Sequence, residues 1–168
     1  LALNASTTLP YDVAAVTGVF TDEAFLKHVS EHVGGTLKSV TVDGDTLSAF
    51  TLTAVRTLPT RRLPEMARKF VGDSLTVTQT EQWAAPLADG SRTATITMTI
   101  AGVPVTVDAE QLLVSVGTDT RVDLTGTVSS SIPFMGSKIA SAAEPMIGKA
   151  LNLQASEAGK WLERRTAE

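Results

Sequence analysis

The sequence predicts an α+β fold: a seven-stranded antiparallel sheet followed by one long C-terminal helix. Three observations predict it. Seven segments alternate apolar and polar residues with a period of two, the pattern of a strand with one buried face. Asp-Gly pairs and single glycines fall at several of the joints between them, which is turn chemistry. After Ile132-Pro133 the apolar period lengthens to that of a helix and holds to about Arg164.

The elements follow in order. Leu3, Ala5, Thr7 and Leu9 alternate with Asn4, Ser6 and Thr8, a half-buried strand that ends at Pro10. Asp12 is placed to cap a short helix carrying Val13, Val16 and Phe20, and Thr21 to cap a second one that stops at Gly34-Gly35. Two strands, Thr36–Asp43 and Thr46–Thr57, flank the turn signal Asp43-Gly44-Asp45. Four more span Ser74–Trp83, Ser91–Ala101, Val105–Gly117 and Asp119–Ser130. Threonines fill one face of several, as in Thr95, Thr97 and Thr99 between Ile96, Met98 and Ile100, so that face meets water. In the strand from Val105 the apolar parity slips at Glu110-Gln111, which predicts a β-bulge there. The terminal helix carries Met135, Ile139, Ala143, Met146, Ala150, Leu153 and Trp161, and about 30 residues span roughly 45 Å. Pro145 lies inside it and predicts a kink or break near residues 142–144.

Composition limits what such a chain does. Its 168 residues suit one domain, 1–168, with a core that needs no cross-link. The absence of cysteine excludes disulfides, thiolate catalysis and Cys-based metal sites, and fits a reducing, cytoplasmic setting. A net charge of −4 lacks the basic footprint of a nucleic-acid-binding protein. No apolar run is long enough to span a bilayer, and LALNASTT has no charged or apolar signal region.

The order strand, two helices, six strands, long helix, with TDEAFLKHVSEHVGG early and FMGSKIASAAEPMIGKALNLQASEAGKWL at the end, resembles the START-like (polyketide-cyclase, SRPBCC) superfamily, in a branch without an assigned function. The resemblance covers the whole chain and lies in element order rather than in a motif. It implies a helix-grip fold, in which a curved sheet wraps the terminal helix around a cavity. It also implies binding of a small hydrophobic or amphipathic molecule, lipid or polyketide-like, or in fewer members a cyclase or dehydratase activity. No catalytic residue can be carried over.

His28-x-x-Glu31-His32 matches one zinc-peptidase pattern. Phe25, Leu26, Val29 and Val33 share the buried face of this helix, with both histidines outside its centre. A catalytic zinc usually needs a third protein ligand. With no third histidine it would have to be a carboxylate, and no sequence pattern selects one. The expectation is therefore an ordinary helix flank, with no metal and no cofactor.

Projecting each strand's apolar parity inward places Phe50, Leu52 and Arg56 on the cavity side of one strand and Gln79, Glu81 and Trp83 on that of another. Ile96, Met98, Ile100, Met135, Ile139 and Met146 complete the expected lining. Arg56 and Glu81 would need each other, since an unpaired buried charge is very costly. They suggest an anchor for a ligand head group, or else strand ends open to water. In TRRLPEMARKFVGD, Leu63, Met66 and Phe70 form an apolar stripe beside Arg61, Arg62, Arg68 and Lys69. This is either a lid, able to touch an anionic membrane surface weakly through 61–70, or a small docked helix. Binding of a small hydrophobic molecule is the expected function. The alternatives are an enzyme using the same cavity and a protein-interaction module with a closed core.

Overall fold

The strands are β1 (Ala2–Leu9), β2 (Thr36–Gly44), β3 (Phe50–Pro59), β4 (Ser74–Trp83), β5 (Arg92–Ile100), β6 (Val103–Val116) and β7 (Asp119–Ser130). The helices are α1 (Val13–Phe20), α2 (Glu23–His32), the four-residue α3 (Glu65–Arg68) and α4 (Gly136–Thr166). They are seen in a computed structural model that describes residues 2–61, 63, 65–69 and 71–167. The sheet runs β1-β7-β6-β5-β4-β3-β2, with every pair antiparallel. The first two strands of the chain thus form its opposite edges, and α1 and α2 carry the chain between them. This is the expected α+β helix-grip architecture.

α4 lies along β7 and β1 and meets α1 and α2 near its C-terminal end. That end closes one core, where Phe20, Phe25 and Leu26 of α1 and α2 pack with Leu52, Leu113 and Leu162. Toward its N-terminal end, Ile139 and Ala140 pack on Leu3, Val105, Val107 and Val128.

Several local expectations change. Asp22, not Thr21, caps α2: its carboxylate accepts from Ala24 N at 3.0 Å. Thr21 ends α1 instead, its hydroxyl donating to Thr17 O at 2.9 Å. β3 begins at Phe50 rather than at Thr46, because the carbonyls of Thr46 and Ser48 accept from the Arg92 guanidinium, both at 2.7 Å, in place of a ladder. No register shift occurs at Glu110-Gln111: β6 pairs with β7 without interruption from Val105 to Val116. Gln111 simply takes the inward position, buried between Ala109 and Leu113, and Leu112 turns outward, half-buried. A register shift falls instead between β5 and β6, at Thr99/Ile100. α4 runs unbroken through Pro145, which is exposed. Packing on both sides, by Ile139 and Ala140 before it and Ala155, Ala158 and Leu162 after it, outweighs one missing backbone bond.

Candidate functional site

β3 and β4 pair in a register that sets Phe50 opposite Trp83, Leu52 opposite Glu81, Ala54 opposite Gln79 and Arg56 opposite Val77. The strand period of two turns all of these to the inner face. Across the next pair, Gln79 lies opposite Met98 and Val77 opposite Ile100. Arg56, Gln79, Glu81 and Trp83 are therefore brought together, as expected, but not as a direct ion pair. Arg56 Nη1 donates to Gln79 Oε1 at 3.3 Å, Gln79 Nε2 donates to Glu81 Oε2, and Trp83 Nε1 donates to Glu81 Oε1 at 2.9 Å. The result is a hydrogen-bonded chain along two strands. Glu81 is 1% exposed and Arg56 8%, so neither is a strand end open to water.

Burial dominates the electrostatics. It pushes the Glu81 carboxyl up, against the hydrogen bonds from Trp83 and Gln79 and the charge of Arg56. It lowers Arg56, opposed by Glu81. Nε and Nη2 of Arg56 are buried without a hydrogen-bond partner among the described residues. Polar groups so placed normally find one.

The other expected lining residues, Met146 apart, fall into three clusters. Phe50 and Trp83 stack at 5.5 Å and join Leu52 in the core beneath α1 and α2, with Arg92 over both rings. Ile96 packs with Ala109 and Leu124. Met98, Ile100, Met135 and Ile139 belong to the cluster under the N-terminal half of α4, and of these four only Ile139 is buried. Met146 is 39% exposed and does not line the interior. The inward stripe of α4 is Ile139, Ala143, Ile147 and Leu151 at i, i+4 spacing, and Met146 falls one residue off it. Of the lid residues, Leu63 is half-buried, the backbone of Met66 is in α3, and Phe70 lies outside the described residues, as does Arg62.

The interior is fuller than the sequence suggested. A cavity of about 20 Å³ lies between α4 and the sheet, room for about one water. Gln79 and Ile96 line it, together with Gln111, Leu124, Leu151 and Gln154. Two of those glutamines escape the sequence reading. Gln111 is a polar residue at an inward position, and its polarity mimics the phase slip of a bulge. Gln154 sits on a helix where apolar spacing gives no reason to select it.

One further grouping joins α2 to α4. Glu157 is buried on α4, and its Oε2 lies 3.0 Å from His28 Nε2. His28, His32 and Glu157 offer ligand atoms all within 4.8 Å of one another. Glu157 is the carboxylate that no sequence pattern selected, 129 residues from His28.

Comparison with known proteins agrees with this architecture. The family model described as "Protein of unknown function (DUF2505)" matches residues 4–162. No curated protein sequence matches the chain. Solved structures with a similar fold include TTHA0849 from Thermus thermophilus, with a TM-score of 0.60, 14% identity and 95% of each chain covered. The Zhui aromatase/cyclase from Streptomyces sp. R1128 has a TM-score of 0.60 at 11% identity, over 99% of this chain and 95% of that one. Truncated norcoclaurine synthase from Thalictrum flavum has a TM-score of 0.56 at 15% identity, over 96% and 92%. At such identities the likeness is one of fold. No helix among the described residues is long and apolar enough to cross a membrane.

Proposed function

This chain belongs to the DUF2505 family, and from the geometry of its interior we propose that it binds a small amphipathic molecule between α4 and the inner face of the sheet. The apolar part would lie along Met98, Ile100, Ile147 and Leu151, half-buried side chains on the two facing surfaces. The polar head would meet Arg56. The observation that carries this reading is that guanidinium, almost wholly buried, two of its nitrogens without a partner among the described residues, in the same cross-strand row as Ile100 with Val77 of β4 between them. An acidic or carbonyl head group supplies the acceptors it lacks, which is how a few placed polar groups orient a ligand in an apolar site.

The size of the cavity sets a condition. The cavity borders the proposed path at Leu151 alone, and about 20 Å³ admits no acyl chain, so the guest must open the interior on entry. The N-terminal half of α4, with Gly136, Pro145 and Gly148 weakening its backbone, is the part best suited to yield. The small cavity also favours a second reading, a protein-interaction module whose core stays closed.

The two readings separate in one titration. A Trp161→Phe variant leaves Trp83, hydrogen-bonded to Glu81, as the sole tryptophan reporter. Dodecanoate should then change its emission saturably. Adding Arg56→Met should weaken binding roughly tenfold, the loss of one charge-assisted hydrogen bond. No saturable change in either protein favours the closed module.

A further inference from the structure

We infer that His28, His32 and Glu157 form a binding site for a borderline divalent transition metal, zinc being the best fit, at the junction of α2 and α4. The donor set is two imidazoles and one carboxylate, which zinc and its neighbours prefer over the hard, all-oxygen cations. The two histidines lie at i, i+4 on α2, so their rings project from one side, with centroids 6.1 Å apart. The third ligand comes from the far end of the chain. Glu157 is 4% exposed, a carboxylate held within the α2–α4 contact rather than floating on the surface.

Its two oxygens have different partners. Oε2 faces His28 Nε2 at 3.0 Å, while Oε1 accepts from Lys160 Nζ at 3.3 Å. A metal entering through Oε2 would replace the proton shared with His28 and leave the Lys160 contact in place to orient the carboxylate, as outer hydrogen bonds do around bound metals. Glu31, the acidic residue of the H-x-x-E-H pattern, pairs with Lys27 at 4.0 Å and is not part of the cluster. The distances are close to what is needed. Tetrahedral coordination at about 2.0–2.1 Å brings ligand atoms to roughly 3.3 Å of each other, and here they are all within 4.8 Å. His32 is exposed, so rotation about its own side-chain bonds closes the difference. Three protein ligands leave a fourth position for water or a small anion. A metal held this way fastens α2 to the last turns of α4, beside the existing Asp22–Arg165 contact at 3.8 Å.

The test uses the full chain without a histidine tag, titrated with zinc, and with nickel for fluorescence. The ring of Trp161 lies 5.4 Å from that of His28, so nickel bound there should quench its emission. Expected are saturation at one equivalent, a melting temperature raised by zinc, and slower amide exchange over residues 154–166. His32→Ala and Glu157→Gln should each weaken zinc binding by about tenfold or more. Absence of one-equivalent binding would overturn the site. So would binding that Glu157→Gln leaves unchanged, since the histidine pair alone would then hold the metal. Should Glu157→Gln fail to fold, the exchange measurement on the unsubstituted protein decides: protection confined to α2, without change in 154–166, excludes a ligand from α4.

Discussion

Trp83 Nε1 donates to Glu81 Oε1 at 2.9 Å, and the two side chains are buried together between the sheet and its helices. The bond fixes a carboxyl that burial has already pushed above its ordinary value. A carboxyl raised on folding favours the folded state while it is protonated. Its contribution is complete below the unfolded value of about 4.3 and is lost as pH rises through the folded one. Glu81→Gln holds the group neutral but removes one acceptor from the chain, so the variant should start out less stable. Its deficit relative to the unsubstituted protein should shrink as pH rises through that window. Urea denaturation at a series of pH values checks this, and a deficit that widens with pH would contradict it.

Arg92 should prove the costliest single polar side chain in the sheet to remove. Its guanidinium donates to Thr46 O, Ser48 O and Ala84 O and covers the rings of Phe50 and Trp83. Arg92→Met leaves three carbonyls with no such donor, and we expect a loss of about 2–4 kcal/mol in chemical denaturation. Amide exchange in the loop between β2 and β3 should rise with it.

The architecture was legible because its signals are local. Alternation located all seven strands, and β4 and β7 have the expected bounds at both ends. The errors came where a tertiary contact overrides the local pattern. Gln111 keeps the parity of β6 and faces the cavity, so the apparent slip in pattern was chemistry rather than a bulge. Thr46 and Ser48 looked like strand residues, but Arg92, distant in sequence, takes their carbonyls. The inward placement of Arg56, Gln79, Glu81 and Trp83 was readable because period-two projection aligns those residues, but the route of their hydrogen bonds through Gln79 was not. Glu157 was not, because nothing in a helix's own sequence records which distant histidine it will meet.

Gly126 should tolerate no branched side chain. It pairs with Ala109, and a Cβ built there would lie 2.6 Å from Asp108 O and 2.7 Å from the Ala109 Cβ. The obstruction on one side is backbone, so the strands must shift. Gly126→Val should cost about 1–3 kcal/mol in urea denaturation, the range for overpacking, despite the better strand propensity of valine.

The two neighbours Thr21 and Asp22 should respond unequally. Asp22 accepts from Ala24 N at the start of α2 and also contacts Arg165 at 3.8 Å. Asp22→Ala should cost about 1 kcal/mol, and Thr21→Ala about half as much or less, since its hydroxyl only supplements the end of α1. Equal losses in thermal denaturation would return the cap to Thr21.

The binding proposal is tested most directly by the methyl groups of the four methionines, Met66, Met98, Met135 and Met146, labelled with carbon-13 and followed by NMR during a dodecanoate titration. Met98 and Met135 lie in the cluster beneath α4, and Met146 is on its exposed side. The account predicts saturable shifts at Met98 and Met135 at one equivalent, little change at Met146, and binding roughly tenfold weaker in Arg56→Leu. Methyl signals that stay still throughout, or move identically with and without Arg56, would contradict it.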